Sequence, residues 1–309
     1  MNYIRNSWLL LIVFFLTACG ATSEQNNNEK KDTMKVYTTV YPLEDFTKKI
    51  GGKHVEVESI YPPGADEHTF EPSQKDMIKM ADGDVFLYIG MGLEGFIDDA
   101  KPILEDEDVV VVPVSKNINL EESQHHDEGN EDEHDHDNNP HIWLDLVYSK
   151  QMANTIAETL SNEMPEHKEL FQENLETLTA DLDHLDSEFK KMVEGSSKNT
   201  FYVSHAAYSY WEERYGIKQE AIAGLNTANE PSQQELKKII EKGKKDNVQY
   251  ILFEQNVSSR LTEVVQKELG AKSLTIHNLS VLTEEDRSKE EDYFSLMKKN
   301  IQTLEKVLK

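Results

Sequence analysis

Across 309 residues there is one cysteine, Cys19, so the chain cannot close an internal disulfide. An exported domain built from it must be held together by core burial, because the usual extracellular staples are missing. Long apolar runs are missing too. The longest, Trp8 to Leu16, has nine residues. At about 1.5 Å per residue it is too short to cross a hydrocarbon layer of about 30 Å. With Arg5 before it and Leu16-Thr17-Ala18-Cys19 after it, the segment reads as a signal peptide over residues 1–18. Positive charge is also scarce, with 32 Lys and Arg against 58 Asp and Glu, a formal net charge of −26. Removing residues 1–18, whose one charged side chain is Arg5, takes this to −27. A field of that sign repels nucleic acid and raises the local concentration of cations. Nucleic-acid binding is excluded on that ground.

A cysteine directly after Leu-Thr-Ala resembles the bacterial lipobox, in which the thiol is acylated and becomes the mature N-terminus. Residues 19–33 are polar and without apolar periodicity, which reads as a flexible tether from lipidated Cys19 to the folded body. The expected location is extracytoplasmic, lipid-anchored to the cell membrane, and the Lys/Asn/Glu-rich composition fits a Gram-positive surface.

From Met34 onward, short β-branched and aromatic runs alternate with amphipathic stretches. Strands are expected at 35–41, 55–61, 84–89 and 109–114, with helices at 43–50, 74–81 and 93–104 between them. After Gly195 the alternation restarts, with strands at 200–204, 219–223, 248–253 and 272–276 and helices at 205–215, 232–245, 259–269 and 293–308. Between these halves, residues 167–193 carry Leu170, Phe171, Leu175, Leu178, Leu182, Leu185, Phe189, Met192 and Val193 at spacings of three and four. That stripe predicts one helix of roughly 40 Å. The expected fold class is α/β, with two (β/α) sandwich lobes, mostly parallel sheets and a long rigid helix joining them. The lobes are placed at 34–147 and 196–309, with the linking helices at 148–195. Ligands in open α/β folds bind at the carboxyl ends of the strands, which puts a crevice between the two sheets.

Histidine supplies the chemistry. Residues 121–137 form an acidic loop holding His125, His126, His134 and His136, and Pro140-His141-Ile142-Trp143-Leu144-Asp145 follows almost at once. Imidazole suits Zn, Cu, Ni and Fe, whereas carboxylates alone suit Ca, Mg and Mn. His68 lies in Pro62-Pro63-Gly64-Ala65-Asp66-Glu67-His68-Thr69-Phe70-Glu71-Pro72, just past a predicted strand, and His205 ends another. A lone histidine at a strand end is more often a hydrogen-bonded structural residue than a ligand. Three such positions beside a His-rich acidic loop shift that balance towards a metal, and three protein ligands is a known zinc arrangement. His54, His167 and His184 lack that context and read as surface residues. His277, which also follows a strand, is less clear.

The lipobox, the Pro-Pro-Gly-Ala-Asp-Glu-His-Thr-Phe-Glu-Pro-Ser loop, the His-rich insertion, Asn-Pro-His-Ile-Trp-Leu-Asp, Val-Ser-His-Ala-Ala-Tyr and Phe-Glu-Gln-Asn-Val-Ser-Ser together resemble the zinc-binding lipoproteins of ABC importers, the cluster A-I metal-binding proteins. The resemblance runs from Lys35 nearly to the end. It implies two sandwich lobes joined by a rigid helix, with the metal between them on His68, His141 and His205. It also favours Zn²⁺ over manganese, since manganese-binding relatives usually carry Glu where His205 stands. The fourth ligand stays open. Many relatives place a carboxylate near the position of Ser280, a poor ligand, which leaves Glu67 or water, with Glu284, Glu285, Asp286 and His277 as lesser stand-ins. Glu254 is the expected outer support for a ligand histidine. The His-rich loop has three readings: zinc collection, gating, or a solvated insertion. The implied function is a high-affinity receptor delivering Zn²⁺ to an ABC permease and its ATPase, monomeric and without catalysis. The alternatives are a His₃ zinc hydrolase and a zinc-dependent adhesin.

Overall fold

The computed structural model describes residues 33–118, 120, 139–227, 229–256 and 260–309. The expected signal peptide, Cys19 and nearly all of the tether lie outside the described residues, as does the His-rich loop with His125, His126, His134 and His136.

The first half contains β1 (Met34–Thr38), α1 (Tyr41–Gly51), β2 (Val55–Ser59), α2 (Gln74–Ala81), β3 (Val85–Tyr88), α3 (Ile97–Asp106) and β4 (Val110–Pro113). Its strands form a parallel sheet in the order β2-β1-β3-β4. Strand β3 is buried along its whole length, as a parallel strand covered on both faces must be. The second half contains β5 (Thr200–His205), α6 (Ser209–Tyr215), β6 (Lys218–Ala223), α7 (Gln233–Lys245), β7 (Tyr250–Glu254), α8 (Arg260–Leu269), β8 (Lys272–Ile276), α9 (Glu284–Ser288) and α10 (Tyr293–Leu308). The order β6-β5-β7-β8 repeats the strand exchange of the first sheet, again all parallel.

Two long helices connect the halves, α4 (Leu146–Glu163) and α5 (Lys168–Glu194). The apolar stripe of α5 is buried from Phe171 to Met192, while its first member, Leu170, is 37% exposed. Helix α5 packs against α4, α1 and α10 and so touches helices of both halves. One continuous core runs through both halves, and a smaller cluster under α7 and α8 contains Tyr202, Ile222, Ile251, Val265 and Ala271. Among the described residues no helix is long and apolar enough to cross a membrane.

Local chemistry explains the boundaries. Ser73 and Ser232 close capping boxes with Asp76 and Glu235, which start α2 and α7 where the sequence pattern puts them. Helix α3 starts at Ile97 and not at the expected residue 93, after a loop in which Gly90, Met91 and Gly92 all have positive φ. Helix α6 likewise starts at Ser209, since His205 remains in its strand, paired in register with Ala223. Helix α9 was not expected, although Thr283 and Asp286 form a capping box at its start.

Candidate metal centre

Four side chains converge in the crevice. His68 and Glu67 come from the loop after β2, His141 from the residue before a short 3-10 turn at Ile142–Leu144, and His205 from the end of β5. One ligand atom from each lies within 4.8 Å of all the others. His68 Nε2 is 3.1 Å from His141 Nε2, and His141 Nε2 is 3.2 Å from His205 Nε2. Ligands of a tetrahedral zinc at 2.0–2.1 Å stand roughly 3.3 Å apart, so these two spacings fit. His141 and His205 are wholly buried, Glu67 is 1% exposed, and His68 is half-buried.

The tautomers follow from the partners. Asn139 Oδ1 accepts the His141 backbone N–H at 3.0 Å, so the atom beside His141 Nδ1 at 2.7 Å is an acceptor and that ring nitrogen donates. The other end of the amide donates to Ser209 Oγ at 2.6 Å. His205 Nδ1 donates to Glu254 Oε2 at 2.5 Å, and Tyr208 Oη donates to Glu254 Oε1 at 2.9 Å. Both Nε2 atoms therefore turn lone pairs towards one point. Two acceptor nitrogens 3.2 Å apart repel unless a proton or a cation lies between them.

Protonation preferences differ around the cluster. Burial pushes the His68 imidazole down to about 4, with the His205 charge acting the same way. Burial holds His141 well below the usual histidine range. Burial also works against the charged form of His205, but the Glu254 carboxylate outweighs it and His205 is raised. Glu67 is pushed up to about 7, mainly by burial. A cation at the centre would take the place of the protons on His205 and Glu67.

Glu67 is held by donors from the second half. Asn278 Nδ2 donates to Oε1 at 3.1 Å, and Ser280 Oγ and Asn256 Nδ2 donate to Oε2 at 2.9 and 3.4 Å. The remaining candidates are engaged elsewhere. His277 pairs with Asp286 and accepts the Leu279 N–H, while Glu285 pairs with Lys289 and Glu284 is exposed. His54 and His167 are half-buried and stacked at 3.7 Å, so the surface reading fits only exposed His184.

A family model described as zinc-uptake complex component A, periplasmic (ZnuA), matches residues 36–307. The chain belongs to the ZnuA family. The zinc-binding lipoprotein AdcA of Streptococcus pneumoniae is 33% identical over 299 residues, 95% of this chain and 58% of AdcA. The chain thus spans little more than half of that relative's length. The high-affinity zinc uptake system protein ZnuA of Bacillus subtilis is 32% identical over 300 residues, 94% of this chain and 92% of the relative. In three dimensions the chain is similar to the Zn(II)-bound ZnuA-like domain of S. pneumoniae AdcA. The TM-score is 0.75 at 31% identity, with 89% of this chain and 99% of that domain covered.

Motif reading of this ZnuA-family chain did not assign roles to Asn139, Asn256, Asn278 or Tyr208. Asn139 offered one signal, its place two residues before His141, where a short amide can reach the ring that follows it. The partners of Glu67 offered none.

Proposed function

We propose that the chain is a zinc receptor that works outside the cytoplasm. His68, His141, His205 and Glu67 hold one Zn²⁺, and Asn139 and Glu254 fix the rings of His141 and His205. The cargo passes to an ABC permease driven by its ATPase. The receptor acts as a monomer, exported by residues 1–18 and anchored by acylated Cys19 through the tether at 19–33, with the body divided as 34–147, 148–195 and 196–309. In the same reading the His-rich loop at 121–137 collects zinc and passes it inward.

The observation that carries the proposal is the aim of the Nε2 lone pairs of His141 and His205 at one buried point beside His68 and Glu67. A catalytic zinc site keeps an open coordination position, whereas four side chains here are close enough to fill all the positions of a four-coordinate zinc. That supports binding without turnover. The names of AdcA and ZnuA point to zinc as the cargo.

The test is metal titration of the full-length chain with elemental analysis. One crevice zinc per chain is expected, removed by His141→Ala with the fold retained in circular dichroism. Undiminished binding in that variant would sink the proposal. Hydrolysis of an ester or phosphate, lost with His141, would replace receptor by enzyme.

A further inference from the structure

Glu67 belongs to the first half, yet each of its carboxylate oxygens is taken by side chains of the second. The loop after β8 carries the two nearest of these donors and is fixed from below. Asn300 holds the His277 backbone from both sides, its Oδ1 accepting at 2.8 Å and its Nδ2 donating at 2.7 Å. His277 Nδ1 accepts the Leu279 N–H at 2.9 Å, which supports Leu279 in a left-handed conformation at φ 62. Asn278 and Ser280 are both wholly buried.

The direction of each donor is determined. Asn278 Oδ1 accepts from Gln255 Nε2 at 2.9 Å and from the Ser280 N–H at 3.1 Å, so its amino group must face Glu67. Ser280 Oγ lies 2.9 Å from both Glu67 Oε2 and Asn278 Oδ1, and its one proton serves only one of them. The amide oxygen already has two donors, and Glu67 in the ionised form that a metal requires is the stronger acceptor, so the hydroxyl serves Glu67.

We infer that Ser280, aided by Asn278 and Asn256, sets the metal preference of the centre by occupying the Glu67 oxygens that a harder cation would need. The inference rests on the zinc-receptor reading and deepens it. Zinc in a four-coordinate site requires a single oxygen beside three imidazoles. Manganese prefers more oxygen ligands and a higher coordination number. To give it both carboxylate oxygens, Glu67 would have to give up the Ser280 hydroxyl, which would fall back on Asn278 Oδ1, a weaker acceptor that already holds two donors. Selectivity in this chain therefore comes partly from a neutral side chain that need not touch the ion.

The test uses the full-length chain, stripped of metal and titrated with Co²⁺, with Zn²⁺ and Mn²⁺ affinities measured by competition. The parent chain should give the intense visible band of four-coordinate cobalt. Ser280→Ala should weaken that band towards the five-coordinate form and raise the affinity for Mn²⁺ relative to Zn²⁺ about tenfold. Ser280→Thr keeps the hydroxyl and should restore the parent spectrum. An unchanged cobalt spectrum and an unchanged metal ratio in Ser280→Ala would overturn the inference while leaving the receptor reading intact. Failure of the parent chain to bind stoichiometric zinc would overturn both.

Discussion

The segments that carry His141 and His68 both precede the long helices, yet they are secured in opposite ways. Around His141 the backbone is tied to aromatic side chains of the second half. Tyr210 Oη donates to the Asn139 carbonyl at 2.5 Å, Trp211 Nε1 to that of Leu144 at 2.8 Å, and Tyr293 Oη to that of Trp143 at 2.7 Å. Trp143 itself donates to the Asn278 carbonyl, and Ile142, Trp143 and Leu144 are fully buried. The His68 loop has Phe70 packed on Tyr61 and Phe96 of its own half, but from the second half it receives small polar groups instead. Thr227 Oγ1 donates to Asp66 Oδ2 at 2.6 Å, Asn256 Nδ2 donates to the Ala65 carbonyl at 3.1 Å, and Pro62, Gly64, Thr69 and Glu71 are exposed. One histidine is thus part of the core, and the other sits on an outlying arm. Damage near His141 should register as lost stability, and damage near His68 as lost affinity.

The sharpest break of this contrast is Trp211→Ala, which removes a fully buried indole packed on Tyr208 and Phe189 together with its bond to Leu144. The metal-free chain should lose roughly 3–5 kcal/mol in urea unfolding. A loss below about 1 kcal/mol would mean that the His141 segment is not anchored by the core. Next in size is Glu254→Gln, which takes the charged partner from His205 Nδ1. Zinc affinity should fall about 10–100-fold in a chelator competition, with little change in fold.

The pH profile sharpens the comparison further. His205 is raised and Glu67 stands at about 7, so both hold protons that zinc must displace, and affinity is lost as pH falls through that region. His68, at about 4, joins only in stronger acid, and His141 lies lower than its usual range for the same reason of burial. Between pH 5 and 6.5 calorimetry in buffers of different ionisation enthalpy should count roughly two protons released per zinc, and fewer in Glu254→Gln. Three protons in that window would contradict the buried, neutral state of His68 and His141. The smallest effect belongs to Thr227→Val, which cuts one bond to the His68 loop. Zinc affinity should drop a few-fold, with a stability change within about 1 kcal/mol.

The parts of the molecule legible in the sequence are those governed by near neighbours. Alternating β-branched runs and amphipathic stretches marked the elements. His68, His141 and His205 stood out because each ends or follows an element beside prolines or a strand. The carboxylate cradle was illegible for the opposite reason. Glu67 meets Asn256, Asn278 and Ser280 across 189, 211 and 213 residues, and no spacing rule reaches that far. Ser280 looked like a gap in the ligand set when read along the chain. In space it donates to Glu67, the candidate for that missing position. Leu170 failed for a milder reason, because a helical stripe has ends, and its first side chain projects past the packed face.

Helix α5 packs against α1 and α4 and also against α10. Swinging one sheet away from its twin would force this rod of about seven turns to bend, or to slide against three interlocked surfaces at once. A wide jaw-like opening is therefore expensive, and an ion held in the centre would be expected to exchange through shifts of shorter segments.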